Sequence, residues 1–426
     1  MTSTANDVGE LAARDEQRAL PLFTHADGDL PKLGAPKAVA RIREFLRDNP
    51  IESPCLVIDL ATVRERYWQL TSALPRARMY FAVKANPAPE VVRELATIGS
   101  YFDVASVPEI ELCLAEGADA QNLCYGNTVK KPADIAKAHA LGVRLYTTDS
   151  EADLEALAEH APGSSVFCRI PATGNGAVYS FGSKFGCSPE LAESLLLRAQ
   201  TLGLAPAGVS FHAGSQQLDP HAWSAGIAQA ARIASNLAAQ GVRLPLLNIG
   251  GGLPGTYTRT VPPLEDYANA IAAAVREHFG AAGLEEPQLV LEPGRFLVAD
   301  AGLLRSEVVL VSRKSPADEH RWVYVDAGRY NGLTETEGEC VAYLLSSPEH
   351  EATTRTGPEA EQENGPVYLA GPTCDGDDVL YQRTVYRLPS ALRVGDHLDF
   401  LSTGAYTASY ASIAFNGFSP LKTLCI

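Results

Sequence analysis

The sequence predicts a (β/α)8 barrel followed by a smaller β-rich domain. Short apolar runs alternate with amphipathic helical segments over about 240 residues, which is the usual length of such a barrel. Strict alternation of strand and helix is typical of a parallel sheet, and eight such units close into a barrel. After about residue 297 the long helical patterns stop and short strands with turn residues follow.

The predicted barrel strands are eight runs rich in β-branched and aromatic residues. They lie at 79–85, 100–106, 122–127, 144–150, 165–171, 208–214, 246–252 and 288–294. A doubly wound sheet also accepts alternation, but the count of eight favours the barrel. We therefore predict a barrel domain at 54–296 and a β-rich domain at 297–426, with 1–53 as a lead-in that partly joins the β domain. The polar, acidic segment 346–366 is predicted to be a mobile loop.

Composition and charge limit the partners, the location and the metal sites that we expect for this protein. The 426 residues include 35 Lys and Arg against 51 Asp and Glu, a formal net charge of −16, which argues against binding of nucleic acid or anionic lipid. We find no apolar run long enough to cross a membrane and no secretory signal, so we expect a cytoplasmic protein. The eight cysteines are scattered without a Cys-x-x-Cys pair, so we expect reduced thiols and no metal site.

Polar residues recur at the ends of the predicted barrel strands, where active sites of such barrels form. We expect Lys84 to be partly desolvated with a lowered pKa, and a neutral amine can form a Schiff base with an aldehyde. Gly250, Gly251 and Gly252 expose backbone N–H groups that can bind a phosphate. Arg295 adds a bidentate partner for it. Taken singly, a lysine at a strand end is more often structural, and a tight turn explains the three glycines equally well.

Two further strand-end residues leave alternatives open. Glu292 is either a structural ion-pair partner or the carboxylate that keeps a pyridine nitrogen protonated. His212 is a general base, a platform for ring stacking, or a buried structural histidine. The remaining strand ends carry Asp103, Asn127 and Arg169. An imine-forming lysine, a phosphate site and a carboxylate for a pyridinium together indicate pyridoxal 5′-phosphate (PLP) as cofactor.

Eight ordered segments resemble those of the fold-type III PLP-dependent decarboxylases. They are YFAVKAN, FDVASVPEI, SKFG, FHAGSQ, IGGGLPG, EPGR, GPTCDGDD, and GAYT with FNGF, and the resemblance extends from residue 54 to the C-terminus. Within the family the sequence is most similar to ornithine decarboxylase and the bacterial lysine/ornithine decarboxylases. The resemblance implies an alanine-racemase-like barrel that binds PLP, a β-rich domain, and a homodimer whose active sites are shared between subunits.

The resemblance also implies a role for each motif residue. Lys84 is similar to the lysine that binds PLP covalently, Glu292 to the carboxylate on the pyridine nitrogen, and His212 to the histidine stacked on the ring. Cys374 resembles the cysteine that enters from the partner subunit and protonates the product carbon. Further cofactor-binding residues are Asp103, Arg169, Ser215, Gly250, Gly251, Gly252, Pro293, Gly294, Arg295 and Tyr406, and substrate-binding residues are Asp326, Asp375 and Phe415.

Charge distinguishes between possible reactions and substrates. Glu292 favours decarboxylation, because a protonated pyridine is a strong electron sink, whereas the related alanine racemases place an arginine there. Asp375, Asp377 and Asp378 favour an ammonium on the substrate, although a solvated acidic turn explains the last two equally well. We expect conversion of a cationic amino acid, L-ornithine to putrescine or L-lysine to cadaverine, with release of CO2. The alternatives are a PLP enzyme acting on another amino acid and a catalytically inactive binding protein.

Overall fold

The computed structural model describes residues 33–171, 177–179, 184–353 and 364–426. Its first elements are α1 (Pro36–Asp48), β1 (Cys55–Ile58), α2 (Leu60–Ala73), β2 (Ala77–Ala82), α3 (Pro89–Thr97), β3 (Tyr101–Val104), α4 (Val107–Ala115), β4 (Leu123–Tyr125), α5 (Pro132–Ala140), β5 (Leu145–Thr148), α6 (Glu151–His160) and β6 (Ser165–Arg169). There follow β7 (Ala177–Tyr179), α7 (Pro189–Thr201), β8 (Ala205–Ser210), β9 (Ser215–Gln217), α8 (Ser224–Ala238), β10 (Leu246–Asn248), α9 (Leu264–Ala281), β11 (Gln288–Leu291) and α10 (Arg295–Val298).

Eight parallel strands close into a barrel, as the sequence predicts. They are β2, β3, β4, β5, β6, β8, β10 and β11, and β11 closes the barrel on β2. Each predicted strand run overlaps one of them. Tyr80 belongs to a small cluster formed by five barrel strands, whereas Met79 and Phe81 on either side of it pack into the larger core. Because neighbouring strand residues point to opposite faces, Tyr80 fills the barrel interior and its neighbours face the helices.

Helix starts follow local capping signals in the sequence. The Asp59 carboxylate accepts a hydrogen bond from Thr62 N at 3.0 Å at the start of α2. Ser106 caps α4 and Ser188 caps α7 in the same way. Such side chains satisfy N–H groups that have no partner inside the helix. The Ser106 and Ser188 caps fix where the loops between barrel strands and their following helices end, and these loops frame the barrel mouth.

The C-terminal part forms a mixed β-sheet. Its strands are β12 (Gly302–Ser312), β13 (Arg321–Val325), β14 (Leu345–Ser346), β15 (Asn364–Ala370), β16 (Val379–Pro389), β17 (His397–Leu401) and β18 (Lys422–Cys425). The order is β14-β17-β12-β13-β15-β16, and β1 joins the sheet by pairing with β12 and β18. The separate β-rich domain of the prediction is therefore confirmed.

Residues before the barrel also contribute to this sheet. Strand β1 is buried along its whole length, and its pairing with β12 and β18 satisfies both of its edges. Helix α1 packs beside it through Val39, Ile42 and Leu46. Although our prediction assigns 54–296 to the barrel, β1 lies in the mixed sheet. The exact domain limits stay a prediction.

The predicted mobile loop at 346–366 is described only at its two ends. Residues Pro348–Thr353 form short 3₁₀ turns, and β15 begins at Asn364. The rest of the segment lies outside the described residues, as does most of the predicted lead-in, 1–32. Among the helices of the described ranges, none has the length and apolar character required to span a membrane.

Candidate active site

Three strand ends bring a lysine and two carboxylates together at the barrel mouth. Lys84 lies in a 3₁₀ turn, Val83–Ala85, that directly follows β2, and Asp103 lies within the neighbouring strand β3. Lys84 Nζ is 3.2 Å from Asp103 Oδ2, and Glu292 directly follows β11. Asp103 is 5% exposed in its side chain and Lys84 is 49% exposed, so the amine remains accessible from the mouth.

The prediction that the pKa of Lys84 is lowered is wrong for this protein. Burial by itself lowers the pKa of the Lys84 ammonium, but the negative charge of Asp103, together with Tyr406 and Glu292, outweighs it. The pKa of Lys84 is therefore raised above its usual value. The sequence showed an apolar strand before the lysine but did not show that Asp103 would lie within contact distance.

Glu292 holds a proton more tightly than an ordinary glutamate. Burial and the nearby charge of Asp103 raise its pKa to about 7, although Lys84 and a hydrogen bond from Asn248 oppose the shift. Asn248 Nδ2 donates to Glu292 Oε1 at 2.6 Å, and Asn248 Oδ1 accepts from Gly250 N at 2.9 Å. One asparagine thus fixes both the carboxylate and the start of the glycine loop.

His212 is held as a neutral imidazole. Burial, followed by the positive charges of Arg169 and Lys84, lowers its pKa to about 3. Its Nδ1 accepts a hydrogen bond from Gly214 N at 3.0 Å, which leaves the ring proton on Nε2. A neutral ring with a fixed orientation suits stacking against a flat aromatic group better than it suits proton transfer near neutral pH.

Arg295 places a buried guanidinium close to these groups. It is the first residue of α10, and its side chain is 4% exposed. Its Nη1 donates to Tyr257 Oη at 2.8 Å and its Nη2 to Ser215 Oγ at 3.3 Å. The Tyr406 ring lies 4.9 Å from its Cζ, so an aromatic face covers the guanidinium. A buried guanidinium flanked by hydroxyl groups is suited to bind a phosphate.

A glutamate from the β-rich domain binds the same arginine. Glu335 Oε2 accepts from Arg295 Nη1 at 2.6 Å, and Oε1 accepts from Nη2 at 2.5 Å. Glu335 lies in a 3₁₀ segment, Thr334–Glu339, between β13 and β14. The two-point contact connects the barrel mouth to the second domain.

A second group of predicted residues lies on the β-rich domain. Cys374 is exposed, and its Sγ lies 3.6 Å from Asn416 Oδ1. The rings of Tyr330 and Phe415 pack against each other, with centroids 4.4 Å apart and an interplanar angle of 32°. Burial and the neighbouring Asp375 raise the pKa of Tyr330. The predicted site residues therefore form one group at the barrel mouth and another, containing Cys374, Asp375 and Phe415, on the second domain.

Comparison with known families identifies the class of protein. Residues 60–299 match the family described as pyridoxal-dependent decarboxylase, pyridoxal binding domain. The chain belongs to this family of PLP-dependent decarboxylases. It is a carboxy-lyase of fold type III whose cofactor is PLP, which confirms the family that the sequence motifs indicated.

Individual relatives of this decarboxylase cover nearly the whole chain. It is 34% identical over 393 residues to a chloroplastic ornithine decarboxylase of Nicotiana glauca, covering 89% of this chain and 84% of the relative. A structure of lysine/ornithine decarboxylase with cadaverine from Vibrio vulnificus is 29% identical with a TM-score of 0.79, covering 92% and 99%. The arginine decarboxylase of Paramecium bursaria Chlorella virus is 26% identical with a TM-score of 0.80, covering 91% and 100%.

The barrel mouth of the decarboxylase fits PLP on its own geometry. A Cβ atom at Gly251 would lie 2.5 Å from Glu292 O and 3.2 Å from His212 Nε2, so the backbone there runs close to both residues. Gly252 has a φ of +109°, and a Cβ there would lie 2.4 Å from a backbone oxygen, so only glycine fits. Arg295 Nε is buried and makes no hydrogen bond within the described residues, which leaves a donor for a phosphate oxygen.

The remaining predicted cofactor residues line the same mouth. The guanidinium of Arg169, the last residue of β6, lies 4.8 Å from the Phe185 ring. The Pro293 carbonyl accepts a hydrogen bond from the last residue of β2 at 3.0 Å, which ties neighbouring strand ends together. A Cβ at Gly294 would lie 3.1 Å from the Tyr406 hydroxyl, so glycine lets Tyr406 approach the start of α10.

Two other polar residues singled out in the sequence make hydrogen bonds within the fold. Asp326 Oδ1 accepts from Glu307 N at 2.9 Å and Oδ2 from Ser53 Oγ at 2.5 Å, so the two oxygens connect the end of β13 to β12 and to the segment before β1. The role of Asp326 in substrate binding stays a prediction. Asn127 donates to the carbonyl of Ala105 at 3.2 Å and shapes the loop after β4.

The acidic run after Cys374 divides into two kinds of residue. Asp378 is buried and accepts hydrogen bonds from Arg329 N at 2.9 Å and from Thr373 N at 3.0 Å, so it stabilises the turn. Asp377 is exposed, and its backbone carbonyl accepts from the Arg329 side chain. Neither expectation for Asp378, a substrate pocket or a solvated turn, matches this buried role. Asp375 remains the carboxylate of this run beside the aromatic pair.

Three residues of the site were not predicted from the sequence. Asn248 lies two positions before Gly250, so a polar residue at a strand end was an available signal. Tyr257 and Glu335 reach Arg295 from loops that follow β10 and β13. Their distance along the chain from Arg295 carries no periodicity, so sequence patterns alone did not indicate them.

Proposed function

We propose that this decarboxylase acts on a basic L-amino acid, converting L-ornithine to putrescine or L-lysine to cadaverine with release of CO2. The observation that carries the proposal is the set formed by Lys84, Asp103 and Glu292 at neighbouring strand ends, with the buried Arg295 guanidinium close to it. This set offers an amine for an aldehyde, a carboxylate for a ring nitrogen and a site for a phosphate.

The barrel residues would divide the work of binding PLP and assisting the reaction. When bound, PLP supplies a pyridine ring that accepts the electron pair left at Cα as CO2 departs. Glu292, with a pKa of about 7, would share its proton with the ring nitrogen and so keep the ring positively charged. His212, held neutral, would stack on the ring without repelling that charge. Lys84 would bind the aldehyde carbon through Nζ.

The substrate side chain is assigned from the second group of residues. Asp375 supplies a negative charge, and the packed rings of Tyr330 and Phe415 supply an apolar wall. An alkyl chain that ends in an ammonium matches this combination, whereas a second carboxylate would be repelled. The names of the three relatives, which act on ornithine, lysine/ornithine and arginine, support a basic substrate.

The exposed position of Cys374 supports a homodimer with shared active sites. Cys374 is exposed on the β-rich domain, where it would face the barrel mouth of a second copy and donate a proton from Sγ to the product carbon. Ile413, with 85% exposure, and Phe418, with 37%, lie on the segment next to Asn416. Apolar side chains exposed beside a site residue are typical of a surface covered by another subunit.

Incubation of the purified protein and PLP with L-ornithine, L-lysine, L-arginine and meso-diaminopimelate tests the proposal. We expect CO2 and the diamine from ornithine or lysine, and no product from the Lys84→Ala chain. CO2 from diaminopimelate alone would contradict the assignment of Asp375. Loss of optical activity without CO2 would indicate a racemase, and PLP binding without any turnover would indicate an inactive binding protein.

A further inference from the structure

We propose that Glu335 is a positioning residue that holds the Arg295 guanidinium in the orientation needed for the phosphate of PLP. The inference rests on the proposed role of Arg295 in phosphate binding. Glu335 lies outside the family motifs quoted from the sequence, and its contact with Arg295 comes from the tertiary structure. It therefore adds a member from the second domain to the cofactor site.

The hydrogen bonds of Arg295 show what Glu335 leaves free. A guanidinium has five N–H groups, two on each terminal nitrogen and one on Nε. Nη1 donates to Tyr257 and Glu335, and Nη2 donates to Ser215 and Glu335. Four of the five groups therefore have partners, and the fifth, Nε–H, is the buried donor that makes no hydrogen bond within the described part of the chain.

The position of Glu335 determines which edge of the Arg295 guanidinium can face an anion. Glu335 contacts the two terminal nitrogens, so it occupies the end of the guanidinium and leaves the side edge with Nε–H uncovered. Ser215 Oγ already lies at Nη2. A phosphate oxygen at Nε–H would therefore have the Ser215 hydroxyl as a second donor nearby. The carboxylate and the phosphate use different edges and do not compete for the same hydrogen atoms.

Burial makes this arrangement important for the charge of the site. The side chains of Arg295 and Glu335 are 4% and 7% exposed, so neither ion is well solvated. Without Glu335, Arg295 would be a buried cation lacking its partner, and such a cation turns toward other acceptors or water. With Glu335, the pair is neutral overall, and the phosphate is held by directed N–H and O–H donors.

The 3₁₀ segment Thr334–Glu339 is itself fixed in place, as a positioning role requires. The Glu339 carboxylate accepts hydrogen bonds from the backbone N–H groups of Gln382, Arg383 and Thr384 at 2.9, 2.8 and 2.6 Å. The Thr336 hydroxyl donates to Leu333 O at 2.6 Å. The segment is thus anchored to strand β16. The position of Glu335 beside Arg295 is therefore set by the β-rich domain.

Titration of the full-length cofactor-free protein with PLP tests the role of Glu335. In Glu335→Gln the side chain keeps its size, but its amide N–H₂ faces an Arg295 N–H group, so one hydrogen bond is lost. We expect the Kd for PLP to rise about ten- to hundredfold and the ³¹P resonance of the bound phosphate to shift. Glu337→Gln is the matched control, because Glu337 lies two positions along the same segment, is exposed and pairs with Arg329.

Tyr257→Phe is a second variant for the same PLP titration, in case Glu335→Gln unfolds the cofactor-free protein. It removes one hydrogen bond to Arg295 and leaves the ion pair, so we expect a smaller rise in Kd and a shift of the same ³¹P resonance. A wild-type Kd and ³¹P resonance in both variants would overturn the proposal. Tighter PLP binding in Glu335→Gln would also overturn it, because the carboxylate would then compete with the phosphate. If the wild-type chain itself fails to bind PLP, the proposed function fails instead.

Discussion

Lys84 Nζ lies 3.2 Å from Asp103 Oδ2, and the other oxygen of Asp103 is buried without a hydrogen bond in the described ranges. The pair joins the ends of adjacent barrel strands, β2 and β3. Asp103 stabilises the charged form of Lys84 and destabilises the charged form of Glu292. One carboxylate therefore acts on the protonation of both groups that are assigned to PLP.

Replacing Lys84 removes the amine that is assigned to the covalent linkage with an aldehyde. We expect Lys84→Ala to reduce turnover roughly a thousandfold or more and to bind PLP without covalent linkage. Borohydride treatment followed by mass spectrometry measures the linkage. Lys131→Ala, which changes an exposed lysine at the start of α5, should leave linkage and turnover intact. Trapping of PLP on the Lys84→Ala chain would contradict the assignment.

Replacing Asp103 changes the pH at which Lys84 reacts. Because Asp103 raises the pKa of Lys84, Asp103→Asn lowers that pKa, and the neutral amine forms at lower pH. We expect the rate of covalent PLP attachment, followed by absorbance over a pH series, to reach its half-maximum at lower pH than in the wild type. Asp266→Asn, at an exposed site on α9, is the control. An unchanged profile in Asp103→Asn would show that Asp103 does not control the amine.

The raised pKa of Glu292 predicts how the stability of the cofactor-free protein depends on pH. Between about pH 4.5 and 7 the folded chain keeps a proton on Glu292 that the unfolded chain releases, so the free energy of unfolding falls as pH rises. Glu292→Gln removes this titration. We expect the fall across that range to be smaller in Glu292→Gln by about 1–3 kcal/mol, measured by denaturant unfolding at several pH values. If the free energy of unfolding changed with pH in the same way in both proteins, the raised pKa of Glu292 would be refuted.

Sharing of active sites predicts recovery when two inactive chains are mixed. Randomly assorted subunits of Lys84→Ala and Cys374→Ala give about half mixed dimers, and one of two sites in each is intact, so about a quarter of wild-type activity returns. Activity after dissociation and reassociation measures this. Cys340→Ala, which changes another exposed cysteine, should stay active alone. Absence of recovery with proven exchange of subunits would argue that each chain has its own complete site.

Asp375 predicts the preference for a charged side chain on the substrate. We expect Asp375→Asn to raise KM for ornithine and lysine about ten- to hundredfold with a smaller change in kcat, because it removes the partner of the distal ammonium. Steady-state kinetics with both substrates measures the change. Asp377→Asn, two residues away and exposed, should have little effect. Equal KM values in Asp375→Asn and wild type would remove Asp375 from the substrate site.

Much of the fold could be predicted because its signals are local. The runs before Lys84 and Glu292 show strand character within a few residues, and the helices between strands show their apolar spacing within one segment. The glycine loop at 250–252 and Arg295 were also visible, since the glycines end one predicted strand and Arg295 directly follows the next. The barrel then places these strand ends at one mouth without further information.

The rest of the site depends on contacts between distant parts of the chain. The sequence indicates no partners for the carboxylates of Asp326 and Asp378. In the fold, Ser53 donates a hydrogen bond to the Asp326 carboxylate and Thr373 donates one to the Asp378 carboxylate. The sign of the Lys84 pKa shift could not be predicted either, because it depends on a distance of 3.2 Å to Asp103 rather than on the apolar strand before the lysine.

By itself the sequence determined an alternating β/α barrel, a β-rich second domain, and a family whose lysine, glutamate and glycine loop bind PLP. The tertiary structure alone decided that Glu335 from the second domain binds Arg295 of the first, 40 residues away along the chain. Backbone periodicity is set by neighbours within a few residues, whereas ion pairs and pKa values depend on which side chains the packed fold brings within a few ångströms.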